Sequence, residues 1–175
     1  MQTPCDLLDQ AIDTERKAIQ FYTEAAAKAS SARARDILLG LADDERQHES
    51  MMQEQRQAFE LSGACSIEAA QLAAEFAKSF LRPSIVPSDR RRMEALASAA
   101  ADELEALKVG MGIERAAYRF YTRAAQMVDT PVLGNLYQSL AEWENGHFLA
   151  LQEMHDFLSD PEVWHLKSER PIFEG

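Results

Sequence analysis

The chain repeats part of itself, and this repeat limits the possible folds more than any other feature. The segment ERKAIQFYTEAA at 15–26 returns as ERAAYRFYTRAA at 114–125, an offset of 114 − 15 = 99 residues. Eight of the 17 pairs between 12–28 and 111–127 are identical, as are six of the 19 pairs between 36–54 and 135–153. Because one offset serves both stretches without a gap, the chain contains a duplicated unit.

Each copy has the hydrophobic spacing of two helices, and no segment has the alternation of a strand. Helices are predicted over about 6–29, 32–61 and 132–158, and helical character also runs from Ser88 to about Val128. Gly110 and Gly112 leave open whether this third long helix is broken. The turns fall at Ser30–Ser31 and at Asp129–Pro131, with serine suited to capping and proline suited to a first helical position.

The predicted fold class is therefore all-α, an antiparallel four-helix bundle made from two duplicated helical hairpins. We expect one domain over 1–175, with hairpins at about 6–61 and 101–158. A long crossover over about 62–100 is predicted to contain an extra helix at 67–81. The tail, 159–175, carries Trp164, Ile172 and Phe173, which suggest that it packs against another surface. Together, the apolar tail and the long crossover favour a homodimer.

Composition excludes several classes of function. A formal charge of −11 and a pI near 4.8 argue against a nucleic-acid partner, which requires a basic surface. No apolar run approaches the roughly 18 residues of a membrane span, and the first ten residues do not resemble a signal peptide. The two cysteines, Cys5 and Cys65, form neither a CxxC pair nor a disulfide framework. These features predict a soluble, cytoplasmic protein that binds neither membranes nor nucleic acid.

Each copy carries a glutamate on its first helix and a Glu-x-x-His motif on its second. The separation between the two glutamates is 45 − 15 = 30 in one copy and 144 − 114 = 30 in the other. Their midpoints, 30 and 129, coincide with the two predicted turns, so each glutamate lies about 22 Å from its turn. All four carboxylates are therefore expected in one layer at mid-bundle, together with two imidazoles. This set comprises Glu15, Glu45, His48, Glu114, Glu144 and His147.

Apolar residues flank these glutamates at helical offsets, so their side chains are predicted to point inward. Four buried carboxylates need a cationic partner, and no lysine or arginine occupies the inward positions. Two divalent metal ions would supply +4 against −4, and residues i and i+3 of Glu-x-x-His can reach the same ion. Oxygen ligands with one imidazole per ion suit iron or manganese better than structural zinc. Ferritin-like dimetal bundles have this arrangement of ligands.

Three further residues are candidates for supporting this layer. Tyr22 and Tyr121 each follow a glutamate by seven residues and share its helix face, so they either hydrogen-bond a carboxylate or simply fill the core. Asp44 is a candidate for accepting the second ring N–H of His147. Its counterpart in the other copy is Trp143, which cannot accept that bond. One metal position is therefore expected to bind its ion less tightly than the other.

The six-residue set, together with the segments ALKVGMGIERAAYRFYTRAA and LADDERQH, resembles the rubrerythrin branch of the ferritin-like superfamily over about 6–158. The resemblance implies a cofactor of two iron ions, with manganese or zinc as possible substitutes. It also implies terminal ligands Glu15 and Glu114, bridging ligands Glu45 and Glu144, and one imidazole per iron from His48 and His147, all six being catalytic. The implied chemistry is reduction of peroxide or oxygen, oxidation of ferrous iron, or both.

The sequence departs from the family's pattern at two points. Met111 stands where rubrerythrins carry an additional glutamate one turn before the third-helix ligand, which weakens the expectation of peroxidase activity. Absence of CxxC pairs predicts no rubredoxin-type iron centre, so the electron donor is expected to be a separate protein. Arg46 stands where a bacterioferritin has its haem-ligating methionine, so no haem is expected. The alternatives are an iron-storage or iron-delivery ferroxidase in a larger assembly, or a non-catalytic helical protein with a vestigial metal site.

Overall fold

The computed structural model describes residues 4–62 and 101–160. Within these ranges the chain forms four long helices: α1 over Pro4–Lys28, α2 over Ala32–Ser62, α3 over Ala101–Met127 and α4 over Pro131–Ser159. The predicted bounds of α1, α2 and α4 and the predicted end of α3 agree with these to within a few residues. The predicted crossover helix at 67–81, the Ser88 region and the tail from 161 onward lie outside the described residues. The all-helical prediction is confirmed for the described part of the chain.

Both turns lie where the spacing of the glutamates places them. Between α1 and α2, the Ser31 hydroxyl accepts a hydrogen bond from the Ala34 N–H at 3.2 Å, which caps the first turn of α2. Glu103 of α3 accepts bonds from the Ser31 N–H and the Ser30 hydroxyl, both at 2.8 Å, so this turn is tied to the second hairpin. Before α4, Thr130 is extended and Pro131 occupies the first turn, where its missing N–H costs nothing.

The helices pack as two hairpins, α1 with α2 and α3 with α4, and α1 also packs on α3. Hydrogen bonds from Tyr22 to Glu114 and from Tyr121 to Glu15 show that α1 and α3 run antiparallel. The expected antiparallel four-helix bundle is therefore confirmed, and α3 continues without a break past Gly110 and Gly112.

Two apolar clusters fill the two ends of the bundle. One contains Leu8, Tyr137 and Leu140, and the other contains Leu41, Leu107 and Phe157. These six side chains are at most 2% exposed, so water has little access to the bundle from either end. The layer of glutamates and histidines lies between the two clusters. Burial of the apolar clusters therefore places a set of polar groups in a dry environment.

Candidate metal centre

All six residues of the predicted ligand set meet at mid-bundle. One glutamate comes from α1 and one from α3, and a Glu-x-x-His pair comes from each of α2 and α4. Every one of the six side chains is at most 4% exposed, although none is apolar. The structure thus brings together Glu15, Glu45, His48, Glu114, Glu144 and His147.

These side chains form two overlapping groups of potential ligands, and in each group the ligand atoms lie within 4.8 Å of one another. The first group adds Glu15 and His48 to a shared pair of carboxylates, and the second adds Glu114 and His147. The shared pair is Glu45 and Glu144. Sharing by both groups is the arrangement expected of carboxylates that bridge two ions.

Distances around the imidazoles show how closely the donors approach. His48 Nδ1 lies 2.7 Å from Glu45 Oε2 and 3.3 Å from Glu144 Oε1. His147 Nδ1 lies 3.0 Å from Glu45 Oε1 and 3.6 Å from Glu144 Oε2. Each terminal glutamate is slightly farther away, with Glu15 Oε2 3.9 Å from His48 Nδ1 and Glu114 Oε2 3.7 Å from His147 Nδ1.

The donor atoms fit metal ions, because many of them are buried and have no hydrogen bond of good geometry to any residue in 4–62 or 101–160. These atoms are both carboxylate oxygens of Glu45, one oxygen each of Glu114 and Glu144, and Nδ1 of His48 and His147. Each buried polar atom without a partner destabilises the folded state by roughly 1–3 kcal/mol. Six such atoms in one layer therefore indicate that a ligand binds there. No lysine or arginine is buried among the described side chains, so only the two imidazoles or a bound cation can supply positive charge to the layer. Carboxylate oxygens with one imidazole per position are the donor set of iron or manganese.

Protons balance the charges of the metal-free layer. Burial, followed by the charges of Glu144 and Glu45, raises the pKa of Glu15 well above its usual value. Burial and then the Glu144 carboxylate raise the pKa of Glu114 to about 8. The terminal glutamates therefore tend to be neutral carboxylic acids when no cation is bound.

The shared glutamates and the imidazoles carry the charges instead. Burial acts to raise the pKa of Glu45, but the charge of His147 contributes to a net lowering. For Glu144, burial and the Glu45 charge act in the same upward direction, and the nearby polar groups of Glu114, His147 and His48 still lower its pKa. Burial alone would lower the pKa of His48, yet the Glu45 carboxylate helps to raise it to about 10, and the pKa of His147 rises in the same way. Two imidazolium groups then face two carboxylates, and the layer is neutral.

Each of the two tyrosines predicted to support the layer contacts the glutamate of the other copy. The Tyr22 hydroxyl donates to Glu114, and the Tyr121 hydroxyl donates to Glu15. Burial, followed by the charge of the glutamate that it faces, raises the pKa of each tyrosine well above its usual value. Both hydroxyls therefore stay protonated and keep each terminal glutamate oriented toward the layer.

The surroundings of the two histidines differ. Asp44 Oδ2 lies 3.4 Å from His147 Nε2, on the side of the ring away from the other carboxylates. His48 instead stacks on Trp143, with ring centroids 4.7 Å apart and planes inclined by 1°. The indole N–H of Trp143 is buried and has no hydrogen-bond partner among the described residues. The Asp44 carboxylate thus lies near Nε2 of His147, whereas the Trp143 ring packs against the face of the His48 ring.

Sequence reasoning missed the stacking of Trp143 and the role of Gly110. At Gly110, a Cβ atom would lie 3.1 Å from Leu151 Cδ1 and 3.2 Å from Tyr22 Cε1. Glycine therefore permits the close approach of the Tyr22 ring whose hydroxyl reaches Glu114. Its position four residues before Glu114, one turn away on the same face, was the signal available in the sequence.

Comparison with protein families identifies a family to which the chain is similar. The family model described as Rubrerythrin matches residues 6–155, which is most of the chain. No curated protein and no solved structure matches the chain significantly. None of the described helices combines the length and the apolar composition needed to cross a bilayer.

Proposed function

Since the chain belongs to the rubrerythrin family, within the ferritin-like diiron carboxylate superfamily, we propose that it binds two iron ions and reduces peroxide or oxygen. The single observation that carries this proposal is the sharing of Glu45 and Glu144 between two groups of buried ligands. One group would hold the first ion and the other the second, with the shared carboxylates between them. Manganese or zinc could occupy the same donors.

The charge of the four glutamates supports the binding of two ions rather than one. With their protons displaced, the four glutamates carry −4, and two divalent ions carry +4. A single divalent ion would leave −2 in a layer that is at most 4% exposed, which is costly in a low-dielectric interior. Two bound irons would supply the two electrons that convert hydrogen peroxide and two protons into two molecules of water.

The chain's own residues would orient the ligands and exclude water. Tyr22 and Tyr121 keep their hydroxyl protons next to Glu114 and Glu15, so each donates a hydrogen bond that orients and stabilises its carboxylate. The apolar clusters above and below the layer limit the access of water and strengthen every electrostatic interaction within it. Position 111 holds the half-buried Met111 rather than a glutamate, so it supplies no further carboxylate to the layer.

Metal analysis combined with peroxide consumption tests this proposal. Protein purified without chelators is expected to hold two irons per chain, and anaerobic reduction followed by peroxide should consume about one peroxide per pair of irons. Glu45→Ala and His147→Ala should lose metal and peroxide consumption together, because each removes a ligand from the shared layer. Glu142→Ala and His155→Ala, both on α4 but outside the layer, are the matched controls.

The same experiment distinguishes the alternatives. Two bound irons without any reaction with peroxide or oxygen would contradict the proposed activity and leave a vestigial metal site. Iron loading far above two per chain, in an assembly with the size of a cage, would instead indicate storage. Rapid oxidation of added ferrous iron with slow peroxide consumption would indicate a ferroxidase.

A further inference from the structure

The second hairpin has a groove that reaches a predicted metal ligand. The groove lies between α3 and α4, has a volume of about 260 Å³, and includes Glu114 in its wall. Glu114 itself is only 1% exposed, so the groove is the approach to a side chain that is otherwise covered. Its remaining lining residues are Arg115, Tyr118, Arg119, Asn145 and Phe148.

The equivalent face of the first hairpin is built differently. At the offset of 99 residues, Arg115 corresponds to Arg16 and Phe148 corresponds to Glu49. Arg16 Nε lies 2.7 Å from Glu49 Oε1, and this ion pair joins α1 to α2. In the second hairpin the arginine remains, but its guanidinium lies 5.0 Å from the centroid of the Phe148 ring. The second copy therefore has the cation without the acid that pairs with it in the first copy.

Positive charge continues along the same face of α3. Arg115, Arg119 and Arg123 follow one another at four-residue spacing, so they form one stripe, here called the arginine stripe. Within 4–62 and 101–160, none of the three takes part in an ion pair, whereas Arg16 and Arg56 both do. In the first copy the last two positions are Gln20 and Glu24, so the stripe belongs to the second copy alone. It is a local cationic surface on a chain whose net charge is −11.

Exposed apolar groups border the arginine stripe. Tyr118 is 42% exposed between Arg115 and Arg119, and Leu149 is 53% exposed on α4, one turn beyond Asn145. Aromatic residues and arginine are enriched in protein interfaces, where the former supply contact area and the latter supply charge-assisted hydrogen bonds. Such a surface suits a protein partner better than it suits a free ion.

We propose that the groove and the arginine stripe form the docking surface for an acidic electron-donor protein, and this inference rests on the proposed function. Carboxylates of the donor would pair with Arg115, Arg119 and Arg123, and its redox group would face Glu114. The acidic remainder of the surface repels such a donor, so the stripe selects the orientation that approaches the metal centre. A basic donor would be attracted to other faces, away from Glu114.

The electron balance fits this partner. Reduction of one peroxide takes two electrons from the centre, and two one-electron donors in succession replace them. In each encounter the donor is oxidised by one electron and the centre is reduced by one, while no covalent bond forms or breaks. A protein with an acidic surface and a one-electron redox group, such as an iron–sulfur cluster, meets both requirements.

Reduced plant-type [2Fe–2S] ferredoxin, a small acidic protein, is a suitable probe for a kinetic test on the metal-loaded, oxidised protein. The test variant carries Arg115→Gln, Arg119→Gln and Arg123→Gln; the control carries Lys17→Gln, Lys28→Gln and Arg46→Gln, with the same change of charge. Steered association accelerates encounters by about 10-fold or more. The second-order rate should therefore fall by at least about 10-fold in the test variant at low salt and less than about 2-fold in the control. For the unmodified protein, the second-order rate should also fall as salt is added.

A second measurement separates this inference from the proposed function. Titration of metal-free protein with oxidised ferredoxin, followed by NMR shifts of the backbone amides, should show salt-dependent changes along α3 near Arg119 that are absent in the test variant. Reduced lumiflavin, a small carrier without a protein surface, should reduce the metal-loaded test variant and control about equally well. If lumiflavin fails to reduce the centre, the proposed function fails, while the NMR titration still decides the docking surface. Absence of binding, or equal loss of rate in the test and control variants, would overturn the inference.

Discussion

Tyr22, on the first helix of one copy, donates a hydrogen bond to Glu114, on the first helix of the other copy. Tyr121 and Glu15 form the same bond in the opposite direction. Each terminal glutamate is therefore held by a residue from the other hairpin, and the α1–α3 interface is stabilised by two buried polar contacts. The metal layer and the packing of the hairpins depend on the same two bonds.

Replacing either tyrosine with phenylalanine tests this dependence. Tyr22→Phe and Tyr121→Phe each leave a buried carboxyl oxygen without its donor, so each should lower the free energy of unfolding of the metal-free protein by about 1–3 kcal/mol. Chemical denaturation followed by circular dichroism measures the change. Tyr118→Phe, which removes a hydroxyl from a side chain that is 42% exposed, should change stability by less than about 0.5 kcal/mol. Equal effects at positions 22 and 118 would refute the dependence.

Inequality between the two metal positions is the second prediction. Asp44 lies near Nε2 of His147, whereas Trp143 stacks on His48. Titration of metal-free protein with cobalt should therefore show two unequal binding steps in the visible spectrum. Asp44→Ala should weaken the tighter step by about 10–100-fold, as expected when the partner of a ligating histidine is removed. Asp43→Ala, at the exposed neighbouring position, is the matched control. Two equal steps in the unmodified protein would rule out the inequality.

Metal binding is predicted to release protons. In the metal-free layer His48 and His147 are protonated, since each pKa is raised, and Glu15 and Glu114 tend to be protonated for the same reason. Cations must displace up to four protons, so metal affinity should rise with pH. The rise becomes less steep above about pH 8, where Glu114 has already lost its proton, and again above about pH 10, where His48 has.

A pH-stat titration with zinc at pH 6.5 measures this release directly. The count should approach four protons per chain and should decrease as the titration is repeated at higher pH. Glu45→Ala should release fewer, because one shared ligand is missing and the charge that raises the pKa of His48 is removed. Zero release at pH 6.5 would mean that the layer is not protonated as the burial and charges require.

Two glycines of α3 provide the fourth prediction. Alanine favours a helix over glycine by about 1 kcal/mol. At Gly112, no described residue outside the adjoining helix backbone lies within 4 Å of an added Cβ atom, so Gly112→Ala should stabilise the protein by up to that amount. Gly110→Ala should instead destabilise it, because Leu151 and the hydrogen-bonded Tyr22 ring must both move. Thermal unfolding of the two metal-free variants compares them. Stabilisation by both substitutions would show that the Tyr22 ring shifts without cost.

The sequence alone was sufficient for the helices, the turns and the composition of the central layer. Hydrophobic spacing indicates the helices, and a separation of 30 residues between the glutamates of each copy places both turns at the midpoints. These features repeat along the chain at the helical period, so they can be read without knowing how the hairpins meet. The structure agrees with them in α1, α2, α3 and α4, and it brings the six predicted ligands together.

Contacts between the hairpins could not be predicted from the periodicity of the sequence. Tyr22 was a candidate to bond some carboxylate, but only the packing of α1 on α3 determines that its partner is Glu114. Likewise, Arg16 and Arg115 occupy equivalent positions in the repeat, yet one forms an ion pair and the other borders an open groove. The sequence determined which residues share a helix face, because that follows from local backbone geometry. Only the tertiary structure decided which faces meet, because contacts between helices distant in sequence depend on how the whole bundle packs.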